Sequence, residues 1–163
     1  LRSDVFYTDP DVYAMRVLDT LLGGGSDSLL FDTIREKHGL AYQVYSSYQP
    51  FTGLITVMAG VSHANVEKTK TLIRETLDTI CAGGFSEDAF LIAKQSLKQS
   101  IKRSYDLQGA LSAKALLHTA FGTPIEKKTM LERLDEVTKD DVVRLAKTLE
   151  FVFTYVLGGK NHA

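Results

Sequence analysis

The pattern of apolar and polar positions changes period twice in the first sixty residues. Val12, Met15, Val17, Leu18, Leu21 and Leu22 recur at helical spacing and predict a helix with a broad apolar face, with Asp9 as N-cap and Pro10 at the first helical position. Gly23, Gly24 and Gly25 end it, because glycine reaches positive φ without a Cβ penalty. Leu29, Leu30, Phe31 and Ile34 then supply one side of a short second helix. Ser26 or Ser28 caps that helix, Arg35-Glu36-Lys37 forms its last turn, and Gly39 stops it. From Leu40 the period shortens to two, and Tyr42, Val44, Ser46 and Tyr48 fall on one face of a partly polar strand. Gln49-Pro50-Phe51-Thr52-Gly53 reads as a hairpin turn, and Leu54 to Gly60 as the returning, antiparallel strand.

Helical periods dominate the rest. Ser62 opens a long helix carrying Val66, Ile73, Leu77 and Ile80, closed by Gly83-Gly84. Ser86 caps another, with the stripe Phe90, Ala93, Leu97 and Ile101. Asp106 starts a third, ended by Gly122. Thr123-Pro124-Ile125-Glu126 and Thr138-Lys139-Asp140-Asp141 are capping boxes, the second with Val137 stapled onto Val142. Phe151 to Leu157 is apolar on both faces and reads as a central or well-covered strand in the sheet of the hairpin. Residues 1 to 9 read as the tail of a further strand. The order is not alternating βαβ, so the predicted class is α+β: a mainly antiparallel sheet with several helices packed on one face. We expect residues 1–163 to form a single domain, a fragment lacking an upstream strand, whose exposed sheet edge can pair with another copy.

A chain of 163 residues with 44% hydrophobic and 24% charged residues is long enough for a real core. A net charge of -1 gives no electrostatic basis for binding nucleic acid or an anionic membrane, and no apolar run approaches a membrane span. One cysteine, Cys81, rules out an internal disulfide and reads as a small buried residue near a helix end. A cytoplasmic location is the expectation.

The chemistry that the residues exclude is informative. His38, His63, His118 and His162 are far apart in sequence, and none has the neighbours of a peptidase zinc motif, H-x-x-E-H. No metal or other cofactor is therefore expected on this chain. The three glycines are followed by Ser26-Asp27-Ser28 rather than Lys-Ser/Thr, and preceded by a helix, which argues against a phosphate loop. Glu87-Asp88 and Asp140-Asp141 lie at helix starts and read as caps. Arg35 alone reads as a helix-end cation, and Tyr42 as a strand tyrosine in the core.

Leu22-Gly23-Gly24-Gly25, Leu30-Phe31, Arg35-Glu36-Lys37 and Gly39-Leu40-Ala41-Tyr42 resemble, in order and spacing, the signature of the pitrilysin/insulinase zinc metallopeptidases (the inverzincins), in the domain that holds no zinc. The likeness extends more loosely through the later helices to Val137-Thr138 and Asp141-Val142. Leu29 and His38 depart from the usual basic residues. The resemblance implies a domain of the metallopeptidase-half type, cut from a longer peptidase. It turns Arg35 and Tyr42 into substrate-binding residues, with no catalytic residue in this chain alone. Zinc is then expected on a facing catalytic half, in the same or a partner chain, with a peptide enclosed between the halves. This segment by itself is expected to be inactive. The competing expectation is a catalytically inactive structural subunit, since the fold also resembles the core subunits of the cytochrome bc1 complex.

Overall fold

The computed structural model describes residues 1–123 and 126–158. Its centre is helix α1, Val12–Leu22, in which Met15, Val17, Leu18, Leu21 and Leu22 are all essentially inaccessible to solvent. A helix buried over so much of its circumference must be covered from several sides. It packs against α3 (Glu87–Ser104) and α6 (Lys139–Ala146), and against the first strand. Around this layer lie α2 (Val66–Cys81), α4 (Gln108–Phe121) and α5 (Lys127–Glu136). Strands β1 (Ala41–Gln49) and β2 (Leu54–Val61) form the predicted antiparallel hairpin, with Gln49 opposite Leu54 and Gln43 opposite Gly60. Gly53 turns the chain at φ 67°, where a Cβ would also stand 2.6 Å from the Ser3 carbonyl oxygen. Val44, Ser46, Tyr48 and Ile55 face the helices and are buried, whereas Gln43, Ser47, Thr56 and Met58 face solvent. The α+β class with helices banked on one face of an antiparallel sheet is the observed architecture.

The sheet is extended by single bridges rather than by full strands. Arg2 bridges antiparallel to Leu54 on one side and to Glu150 on the other, the latter through Arg2 N–H to Glu150 O (2.8 Å) and Glu150 N–H to Arg2 O (3.0 Å). The expected strand Phe151–Leu157 does not form. These residues follow Glu150 without regular structure, and Phe153, Tyr155 and Leu157 are 76–84% exposed. Composition selects side chains suited to a covered strand, but a strand exists only where a neighbour supplies hydrogen bonds. Among the described residues, pairing on this side ends at Glu150.

Several helix starts also differ from the sequence reading. The Asp9 carboxylate accepts from Phe6 N–H and closes a turn, so α1 begins only at Val12. Ser28 Oγ donates to Gly25 O at 2.6 Å instead of capping a helix. After Ser62 a single 3₁₀ turn, His63–Asn65, precedes α2, and α4 begins at Gln108 rather than Asp106. The Ser86 cap and the Thr138/Asp141 capping box are present as expected. Pro124 and Ile125 of the other box lie outside the described residues, and α5 starts at Lys127 with no side-chain cap.

Candidate functional site

The site is built by the corner between α1 and β1. The Asp19 carbonyl accepts from Gly23 and Gly24 N–H, and Gly23 O accepts from Ser46 N–H at 2.9 Å. Ser46 Oγ donates to Asp19 Oδ1 at 2.7 Å and approaches Asp19 O at 3.0 Å. The end of α1 is thereby stitched to the middle of β1. A Cβ on Gly23 would stand 2.6 Å from Ser46 N, and one on Gly24 2.7 Å from Thr20 Cα, whereas Gly25 faces open space. Two of the three glycines therefore serve close packing. Burial pushes the Asp19 carboxyl above the ordinary carboxylate range, and the hydrogen bond from Ser46 works in the opposite direction.

Between these anchors the chain makes a wide helical turn. Phe31–Lys37 is π-helical, with Leu30 and Ile34 fully buried beneath it. Its end is closed by Gly39 N–H to Arg35 O and Leu40 N–H to Ile34 O, each 3.0 Å, with Gly39 at φ 59°. His38 Nδ1 lies 2.8 Å from Thr33 O, and Lys37 pairs with Asp32 at 2.6 Å. Both contacts hold the turn together locally. Arg35, Glu36 and Lys37 project into solvent.

β1 opens with a second irregularity. Ala41 pairs with Val61 and Gln43 with Gly60, so a β-bulge falls at Tyr42. The extra residue reverses the alternation: Ala41 points into the core, and Tyr42 and Gln43 both point outward. Tyr42 is consequently 87% exposed and does not share the buried face of Val44, Ser46 and Tyr48, contrary to the period-two expectation. Nor is it a core tyrosine. That role falls to Tyr48, whose hydroxyl donates to Val5 O at 2.8 Å and whose pKa burial pushes up to about 12.

The two irregular turns bring the predicted pair together. Arg35 Cζ lies 5.5 Å from the Tyr42 ring centroid and 4.6 Å from that of Phe31. Its nearest carboxylate, Glu36 Oε1, is 3.8 Å from Nε, beyond hydrogen-bond range. A guanidinium thus lies against an exposed phenol ring on an open surface, and both groups carry donors suited to a carbonyl or carboxylate brought from outside. Phe31 was legible in the sequence only as a helix apolar position; its spacing of four from Arg35 is the signal for a shared helix face. Clefts of about 230 Å³ (including Tyr13, Arg16 and Arg133) and about 240 Å³ (including Arg16, Asp19 and Tyr48) lie elsewhere and contain neither Arg35 nor Tyr42.

Among the described residues, no three His, Cys, Asp or Glu side chains are gathered as a metal would require, and no helix is long and apolar enough to cross a membrane. His118 Nδ1 lies 2.7 Å from Thr123 O, and His162 lies outside the described residues. Cys81 is half-buried rather than buried, and partial burial pushes its thiol pKa up, away from the reactive thiolate.

The α+β fold and the sequence of the corner are both shared with known proteins. The family model described as the peptidase M16 inactive domain matches residues 3–97. YmfF of Bacillus subtilis, described as a "probable inactive metalloprotease", is 32% identical over 162 residues, covering 99% of this chain and 38% of that protein. An uncharacterized zinc protease of Streptomyces coelicolor is 36% identical over 143 residues, covering 86% of this chain and 31% of that one. The crystal structure of a conserved protein from Enterococcus faecalis V583 superposes with a TM-score of 0.87 at 30% identity, covering 91% of this chain and 35% of that one. The chain belongs to the peptidase M16 inactive-domain family. It spans about a third of the length of the curated relatives that it matches.

Proposed function

We propose that this domain is the zinc-free, substrate-binding half of a zinc metallopeptidase and that Arg35 and Tyr42 hold the peptide. The observation that carries the reading is the exposed Arg35–Tyr42 pair, presented by a π-helical turn and a β-bulge. Both kinds of irregularity are over-represented at functional sites. An open surface also suits a chamber wall completed by a second half. Zinc on that facing half would supply the activated water and polarise the scissile carbonyl. The residues of this chain would donate hydrogen bonds to the peptide backbone or to the oxygen that gains negative charge. In this reading the cleaving chemistry belongs to the facing half.

The test is steady-state cleavage of a fluorogenic peptide by the protein carrying this domain together with its zinc half. Tyr42→Phe removes one exposed hydroxyl and should shift stability by about 1 kcal/mol or less. Loss of a donor to the developing oxyanion costs about 2.7–4 kcal/mol of barrier, a hundredfold or more in rate. Loss of a donor used only in ground-state binding raises KM instead. Arg35→Lys should also impair cleavage, since an ammonium cannot reproduce the planar fork. Cleavage by both variants within about twofold of wild type would remove the pair as a substrate site. The name of the YmfF relative favours a second reading, a non-catalytic binding or scaffold subunit. That reading moves ahead if the wild-type protein cleaves nothing with zinc supplied.

A further inference from the structure

Arg35 has two aromatic neighbours, and only one of them is explained by the reading above. Phe31 sits four residues earlier on the π-helical turn, half-buried, with its ring face 4.6 Å from Arg35 Cζ. The core beneath is already filled by Leu30 and Ile34. Among the described residues, the Arg35 guanidinium rests on these two rings, with the Glu36 carboxylate 3.8 Å from Nε, beyond hydrogen-bond range. A ring attracts the cation through its face and covers the flat side of the guanidinium, leaving the N–H edge open. It also narrows the rotamers of a long side chain that would otherwise lose that freedom on binding.

We infer that Phe31 is a positioning residue: its ring holds the Arg35 guanidinium beside Tyr42, with the donor edge free for an oxygen acceptor of the bound peptide. This rests on Arg35 and Tyr42 being substrate contacts. Phe31 itself then acts through Arg35 rather than on the peptide.

A double-mutant cycle in the protein carrying both halves separates these roles: wild type, Phe31→Leu, Arg35→Gln and the double variant, with Phe31→Tyr as the ring-retaining control. Phe31→Leu should lower kcat/KM roughly three- to tenfold, the range that an exposed to half-buried cation–π contact supports. Phe31→Tyr should stay within about twofold of wild type, and Phe31→Leu should change kcat/KM by less than about twofold once Arg35 is glutamine. An equal loss in both backgrounds means that Phe31 meets the peptide or only supports the fold, and overturns the inference. So does wild-type cleavage by Phe31→Leu alongside an impaired Arg35→Gln. If Arg35→Gln itself cleaves like wild type, the substrate-site reading fails, and the positioning role with it.

Discussion

Replacing Gly23 by alanine tests whether the glycine corner, rather than the helices alone, sets the position of β1. The added Cβ would meet Ser46 N at 2.6 Å, Ser46 Oγ at 2.8 Å and Ser46 Cβ at 2.9 Å, all closer than van der Waals contact allows. The nearest of these is backbone in a paired strand and cannot rotate away. Relief requires α1 and β1 to separate, which weakens the Ser46 N–H bond to Gly23 O and the Ser46–Asp19 contacts. Overpacking at a rigid site costs about 1–3 kcal/mol, and one weakened buried hydrogen bond adds about 0.5–1.5 kcal/mol. The expected loss is therefore about 2–4 kcal/mol, a large share of the ~5–15 kcal/mol that holds a typical domain together. Gly25→Ala is the internal control, because its Cβ would enter open space and alanine narrows the unfolded ensemble. Urea unfolding of the chain, followed by circular dichroism, gives both midpoints under identical conditions. Gly25→Ala should match or exceed wild type. If Gly23→Ala falls within about 0.5 kcal/mol of Gly25→Ala, the corner is not tightly packed, and the account of how β1 and Tyr42 are placed is wrong.

Asp19 supplies a pH test. Burial raises its folded pKa, so its contribution to stability is fully present below the unfolded value and is lost as pH rises through the folded one. Asp19→Asn, which can still accept from Ser46, should gain stability relative to wild type on going from acidic to neutral pH; a difference constant across that range would count against a buried carboxyl. The exposed run Phe151–Leu157 presents Phe153 and Tyr155 to solvent at 77% and 76%. Phe153→Lys with Tyr155→Lys should reduce self-association of the 163-residue chain in sedimentation velocity, and an unchanged distribution would show that this edge takes no part.

Much of this domain was legible from local pattern. The 3.6-residue period of α1, α2 and α3 reflects burial of one helix face or more, and burial is what selects the apolar residues. The hairpin register follows from a short turn joining two strands with one covered face. The Arg35–Tyr42 pair was singled out by the order of glycines, leucines and charges in residues 22–42, through likeness to a known family rather than through any chemistry visible in the two residues.

What the residues alone did not determine depends on contacts between distant segments. A period-two strand places Tyr42 with Val44 on the buried face, and only the bulge opposite Gly60 turns it outward. Bulges are settled by how a strand fits its neighbour, not by the strand's own composition. Phe31 reads as a core residue until the π-helical turn lays its ring against Arg35. Phe151–Leu157 has strand composition throughout and remains unpaired, because hydrogen bonds across a sheet belong to two chain segments and composition describes one. Sequence periodicity thus determined which faces are apolar, and the tertiary structure decided which residues those faces meet.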